Sequence, residues 1–491
     1  MILSERRAIF IIFTAIFIYV SVIGAVSVLR HYNFETQAWD MGIFTQTLWN
    51  ASKGRWMTNS IEETPNHFGV HMSPILFLLL PGFLIFPSAY YLLILQALAL
   101  AFGAWPLYLF AKKVLGRHDF ALLISVGYLL YPSLHFVNLF DFHPVAFLVP
   151  ALLFAFYFFA VRKWIWFWFF MIIAASAQED AILAVMFSCV FLAIIYWREA
   201  KEKKIGLWTA VAALIYFIIA TKVLMPYFGG GLLRLDRYAH LGGSFAEITR
   251  NLLSGPSLFF KTAFSAPKLA YLFWLFLPTA FLPFLYPLSL FILVPGLLEN
   301  LLTNFENQFS GFYQYDSMLI AGVFIAGVYG LQKLLRIFPY GVSWIKGFLV
   351  TAVLAGFLLR SPVSPFLFPT DLFRTNERAY ALREIVKNVP EEASVTAHTN
   401  IVPHLAKRER VYMLGTEPFW VNQKMFKPDV VVVDGGDLFG FYTPDSLQRY
   451  VDSYAESEEY SMKIIKERYF VFTKKSTFEN GAIAPSRNFQ E

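Results

Sequence analysis

Apolar runs close to 20 residues long recur along this chain from Ala8 to Arg360. A helix of that length crosses the hydrocarbon core of a bilayer, and its backbone groups are satisfied within the helix. Few other architectures accept so many such runs. The spacing predicts spans near 8–29, 90–111, 119–137, 144–161, 164–178, 181–197, 205–224, 266–284, 286–300, 317–335 and 343–361. That is about eleven membrane helices. The segment 73–86 is apolar but short, and Pro74, Pro81 and Pro87 interrupt it. It is expected to lie at the surface as a juxtamembrane helix, with Ser73 as N-cap and Pro74 in the first turn. Composition agrees: 57% of residues are hydrophobic and 15% charged, where soluble domains average about 25% charged. The first run is too long for a cleaved leader, and no small-residue cleavage site follows it.

Charge sets the expected orientation. With the N-terminus in the cytoplasm, the inner ends carry Arg6 and Arg7, then Lys112, Lys113 and Arg117, then Arg162 and Lys163. Arg198, Lys201, Lys203, Lys204, Lys333, Arg336 and Lys346 continue the series. The opposite connections 134–143, 178–180 and 299–316 contain no lysine or arginine. This is the positive-inside pattern. An odd number of spans then places the C-terminal segment outside the cell membrane.

That segment differs in kind. Residues 362–491 carry roughly 16 basic and 18 acidic side chains, so the excess positive charge belongs to the membrane part. A helical pattern over 371–388 gives way to the strand-like runs ASVTAH, RVYML, DVVVVD, MKIIK and YFVFTK, with a second helix near 444–456. Such alternation predicts a small extracytoplasmic α/β domain. The expected fold is therefore an all-α polytopic membrane bundle over 1–361, with a first outer loop at 30–89, joined to an α/β domain at 362–491. VVVVDGGD, whose strand ends at Asp434, Gly435 and Gly436, resembles a ligand-binding strand end, but it is no GxGxxG fingerprint and a strand followed by a tight turn is the plainer reading. The single cysteine, Cys189, lies in an apolar run and excludes an intrachain disulfide.

The unusual polar residues fall on the expected outer side. Asp40, His67 and His71 lie in the first outer loop, and Asp141 and His143 in the second. Glu179 and Asp180 form the third. Arg234 and Arg237 lie in the fourth, and Glu299, Tyr313 and Asp316 in the fifth. Ionisable groups at a membrane edge are costly unless paired or hydrated, which makes them functional candidates. Each also has a plainer reading. Asp40 sits in NFETQAWDMGIFTQTLWN, where Met41, Phe44 and Leu48 recur at helical spacing, so it is either a helix cap or a reacting group. Glu179 and Asp180 are either a solvated turn or paired acids. His67 and His71 have a metal-ligand spacing only on a helix, and no third ligand is placed, so no metal site is assigned. His143 precedes Pro144, which opens a helix. Arg234 and Arg237 bind either a phosphate or lipid headgroups. No P-loop, Rossmann glycine pattern or nucleophile elbow occurs, which argues against a nucleotide-driven engine. Nothing points to nucleic acid.

WDMGIFTQTLWN, the run from HFGVHMSPILFLLLPG to YLFAKK, FDFHP, QED, ASVTAHTNIVPHLAKRERVYML and PDVVVVD together resemble the domain-of-unknown-function 2079 family. That family is grouped with the GT-C superfamily of membrane glycosyltransferases, which includes protein mannosyltransferases. The resemblance implies a polyprenyl-phosphate-linked sugar donor and a glycan, lipid or protein acceptor at an outward-facing site. It also implies a catalytic acid in the first outer loop, which is Asp40 here, with Glu179 and Asp180 as second acids. His67, His71, Asp141, His143, Arg234, Arg237 and Tyr313 are the expected substrate-binding residues. The first loop lacks the paired-acid motif of the best-known relatives, so a divalent metal is compatible with the site but not indicated. The rival expectation is a transporter or lipid-carrier flippase using the same outer acids. Neither an internal repeat of spans nor matched glycine-broken spans supports it.

Overall fold

The computed structural model describes residues 4–475 apart from 417–418 and 422–423. The C-terminal end of the segment expected at 362–491 therefore lies outside the described residues. Helix occupies the expected spans outside 266–300. Among the described residues, six helices are long and apolar enough to cross a membrane: Glu5–Tyr32, Ala89–Leu115, His118–Leu139, Ala200–Tyr227, Gln314–Ile337 and Val342–Arg360. Shorter apolar helices include Ile75–Ile85, Pro144–Ala160 and Trp164–Ala175. The chain is a multi-pass helical membrane protein with a small C-terminal sheet domain. It folds as two compact units. The first holds residues up to Ser27, Phe68–Leu78 and Leu92–Thr370; the second holds Val28–His67, Leu79–Tyr91 and the chain from Asp371 on.

One stretch of the first unit departs from the expectation. Spans at 266–284 and 286–300 place the turn near residue 285. The structure instead runs helix Ala266–Phe276, then a 3-10 turn to Thr279, then left-handed Ala280 and Phe281 at φ 54° and 55°. Further 3-10 segments, Leu282–Leu285 and Pro287–Leu293, precede helix Val294–Leu302. Pro278, Pro283, Pro287 and Pro295 are the cause: each stands in the first turn of a new segment, where its missing N–H is tolerated, and a proline cannot continue a helix from the residues before it. Irregular backbone at membrane depth survives only where protein covers it. Helix Ser317–Ile337 does so through its glycines. A Cβ on Gly330 would collide with the Leu282 carbonyl, and one on Gly322 with the Leu293 side chain. Gly330→Ala is therefore expected to lower stability by about 1–3 kcal/mol through overpacking. Gly327→Ala, where no atom outside its own helix turn lies within 4 Å of the added carbon, is the control and does not lower thermal stability in detergent, a mid-helix Ala being favoured over Gly by about 0.5–1 kcal/mol.

The second unit contains a five-stranded sheet. Its strands are β1 (Val395–Ala397), β2 (Val411–Met413), β5 (Val430–Asp434), β6 (Tyr460–Ile465) and β7 (Tyr469–Lys474), in the order β2-β1-β5-β7-β6. β1 pairs in parallel with β2 and β5, while β7 is antiparallel to β5 and β6. Every residue of β5 is buried, and its four valines form the apolar run expected of a strand at the centre of the sheet. Leu447 and Val451 of helix Pro444–Ala455 pack with Val431, Val433 and Phe472. Thr443 and Ser446 close a capping box at that helix's start. A separate hairpin, β3 (Phe419–Val421) with β4 (Lys424–Phe426), has no counterpart among the expected strands.

The first loop as far as His67 belongs to this same unit. Gln46 Nε2 donates to the carbonyls of Arg408 (3.1 Å) and Glu409 (3.0 Å). Ser60 Oγ donates to the Val411 carbonyl at 2.7 Å. Met41, Phe44 and Leu48 are buried in the protein. Their helical spacing thus reflects packing onto the protein rather than anchoring at a lipid interface.

Candidate functional site

Asp40 lies in a five-residue π-helical turn, Ala38–Gly42, that leads into helix Ile43–Ser52. Neither element has a side-chain cap, so the capping explanation of Asp40 finds no support. π turns concentrate at functional sites. The Ala38 N–H donates to Thr399 Oγ1 at 3.1 Å, which ties the turn to the loop after β1. Asp40 is half-buried.

His67 and His71 do not act as a pair. His67 is fully buried, and its Nδ1 lies 3.0 Å from both carboxylate oxygens of Glu62. His71 Nδ1 lies 2.9 Å from Glu179 Oε1, and the Met72 N–H donates to Glu179 Oε2 at 3.0 Å. Only one turn of helix, His67–Val70, separates them, and each imidazole has its own acid. Among the described residues, no three His, Cys, Asp or Glu side chains stand close enough to hold a metal ion.

The Glu179–His71 pair is the centre of a larger cluster in the first unit. Asp180, the next residue, lies within electrostatic reach of Glu179 and His71. Its carboxylate accepts from the Ala181 N–H at 2.7 Å and from Gln178 Nε2 at 3.2 Å. Glu299 feels Asp180, Arg237 and Glu179. Gln308 links the far side: its Nε2 donates to Glu299 Oε1 at 3.2 Å, and its Oε1 accepts from Arg237 Nη1 at 3.2 Å. The Arg237 guanidinium also lies over Phe305, 4.5 Å from the ring centre. Arg234 and Arg237 occupy the 3-10 helix Leu233–Tyr238, where residues three apart eclipse and share a face.

Asp141 and His143 form a second group of the first unit. Asp141 is buried at φ 51°. Gln96 grips this loop by donating to the Asp141 carbonyl at 2.7 Å and accepting from the His143 N–H at 2.8 Å. Phe140 stacks on His143 and meets Tyr313 edge-on, with ring centres 4.5 Å apart in the latter pair. The second and fifth connections therefore meet at Phe140. Gln96 and Gln308 were absent from the expected site. Gln96 had a signal, being the only polar side chain in the apolar helix Ala89–Phe102 apart from two tyrosines. Gln308 had none among its polar neighbours.

The first acid of VVVVDGGD is structural. Asp434 accepts from Arg468 Nε at 2.6 Å, Arg378 Nε at 3.0 Å and the Gly436 N–H at 3.0 Å. A Cβ on Gly436 would strike the Arg468 guanidinium. The paired glycines thus admit the arginine.

Comparison with curated proteins gives no match. Among solved structures, ArnT from Cupriavidus metallidurans bound to undecaprenyl phosphate is similar over 96% of this chain and 99% of its own, with a TM-score of 0.49 and 12% identity. Its apo form gives 0.45 and 12% over 95% of this chain and 99% of its own. The sequence profile of the family described as predicted membrane protein (DUF2079) matches residues 30–480, and the chain belongs to that family.

Proposed function

We propose that this membrane protein is a glycosyltransferase that moves a sugar from a polyprenyl-phosphate donor to an acceptor at the extracytoplasmic face. The observation that supports this reading most is the cluster of His71, Glu179, Asp180, Arg237 and Glu299, drawn from four separate connections into one unit. It combines an oriented imidazole, carboxylates and a guanidinium, which are the groups that acid–base chemistry beside a phosphate needs.

In this reading Glu179 holds the His71 Nδ1–H, so the lone pair of the neutral ring is on Nε2. That nitrogen takes the proton of an acceptor hydroxyl. The acceptor oxygen bonds to the anomeric carbon, and the bond from that carbon to the phosphate oxygen breaks. The electron pair leaves with the lipid phosphate, and configuration inverts. Arg237, with Arg234 on the same face, balances the charge that develops on the phosphate. Asp180 and Glu299 accept hydrogen bonds from sugar hydroxyls. Phe140, His143 and Tyr313 offer a stacking wall for a sugar ring, with Asp141 holding the loop. Asp40 is the competing candidate for the base, on the family resemblance.

The test incubates membranes carrying the protein with a panel of labelled prenyl-phosphate sugars. Wild type transfers label from at least one donor. Asp40→Asn and His71→Asn separate the two bases: whichever loses transfer by about 100-fold or more carries the proton. Absence of transfer by wild type from every donor, with movement of the lipid across the bilayer instead, would replace this reading with that of a flippase.

A further inference from the structure

The second unit contains a cavity of about 620 Å³ that the proposed chemistry does not use. It lies where the first membrane helix ends, at Leu29, Tyr32 and Asn33, and where the chain enters the C-terminal domain after Asp371. Its level along the chain is therefore the edge of a membrane span. Tyrosine at a helix end belongs to the headgroup layer, and Tyr32 is joined on the wall by Phe373 and Tyr380, all three exposed.

Charge on the wall is one-sided. Arg374, Arg383 and Lys466 face a single acid, Glu377. Arg383 is pre-positioned. Its guanidinium lies 3.9 Å from the Tyr32 ring centre, and its Nη1 donates to the Tyr32 carbonyl at 3.0 Å. A guanidinium has five N–H donors, so most of its capacity is not consumed by that bond. Arg374 meets Asp371 at 2.9 Å, but both side chains are largely solvated, and such a pair is easily exchanged for another anion. Lys466 is the most telling member. With Glu467 and Arg468 it forms the three-residue turn between β6 and β7, and Lys466 and Glu467 both adopt positive φ, 48° and 51°. Positive φ favours Gly and Asn because other side chains are strained there. Lys466 occupies this strained position on the cavity wall.

We infer that this cavity binds the phosphate headgroup of an anionic membrane lipid. A water-soluble phosphate would need the cations alone. The exposed aromatics and the position at the end of a membrane helix match the glycerol or prenyl portion of a lipid. The phosphate is shared by glycerophospholipids and polyprenyl phosphates, and the test separates them.

The full-length protein is placed in phosphatidylcholine nanodiscs doped with phosphatidylglycerol, with undecaprenyl phosphate, or with neither plus free inorganic phosphate. Lipid carried through gentle release is read by native mass spectrometry. Wild type retains at least one anionic lipid, and the retained species names the source. The variant R374Q/K466Q changes two exposed side chains and retains that lipid at least 10-fold less, while R383K reports on the stacked guanidinium separately. Thermal unfolding in neutral nanodiscs confirms that each variant is folded. Equal retention by wild type and R374Q/K466Q would overturn the proposal, as would binding of inorganic phosphate with no preference for either anionic lipid.

Discussion

Glu179→Gln is expected to lower sugar transfer by about 10²–10⁴-fold, the range that a positioned acid–base group contributes. Glu179 does not itself face substrate in this scheme. It sets the ring orientation and tautomer of His71 through the 2.9 Å contact at Nδ1, and a neutral amide both loses the charge and can present the wrong atom to that nitrogen. The loss should fall on kcat with little change in KM, because the interaction matters most as charge develops on the imidazole. Glu179→Gln keeps an oxygen for the Met72 N–H, so thermal stability stays near wild type. Glu179→Ala leaves both the Met72 N–H and the His71 N–H without their acceptor, which costs about 1–3 kcal/mol per group. A Glu179→Gln protein that unfolds early, or one whose transfer rate matches wild type, would remove Glu179 from the mechanism.

The second large effect concerns the C-terminal domain. Asp434→Ala is expected to destabilise it by about 3 kcal/mol, at the low end for breaking a buried ion pair. The low end applies because Arg378 and Arg468 retain solvent access, with side-chain exposures of 25% and 41%. The same carboxylate gives a pH signature. Burial pushes its pKa up, but hydrogen bonds from Arg468, the Gly436 N–H and Arg378 outweigh burial and hold it below the usual value. A depressed folded pKa stabilises the folded state fully above the unfolded value of about 4 and loses that contribution as pH falls through the folded value. Hydrogen exchange of the β5 amides, corrected for intrinsic rate, should show protection falling below about pH 4 in wild type. In Asp434→Asn protection is lower at neutral pH and this site's acid-side decline is missing. An identical acid profile in the two proteins would show that Asp434 does not set it.

Much of the fold was legible because it is written over short distances. Each strand-like run of the C-terminal segment became a strand, and 371–388 became helix Glu377–Lys387. Over 266–302 hydropathy misleads, because it counts proline-broken and regular segments alike. Only packing against Gly322 and Gly330 shows how broken backbone is accommodated. The β3–β4 hairpin lies in a stretch without clear alternation.

The site was legible in residue type but not in partnership. The polarity of the connections between spans singled out His71, Glu179, Asp180 and Arg237, because a polar group beside lipid is costly wherever the chain goes. It could not show that Glu179 meets His71, 108 positions earlier in the chain, or that His67 is engaged by Glu62 instead. Nor could it tell that Asp434 serves two arginines, or that the first loop packs on the domain at the other end of the chain.

The multi-pass helical character and the placement of the apolar runs follow from length, hydropathy and the need to satisfy every backbone group within the bilayer. Those are properties of about twenty consecutive residues, and the amino-acid order contains them outright. The choice of partner for each carboxylate, and the making of a cavity from Tyr32, Arg383 and Lys466, depend on chain closure over hundreds of residues. No local period encodes such contacts, so they existed only once the tertiary structure had formed.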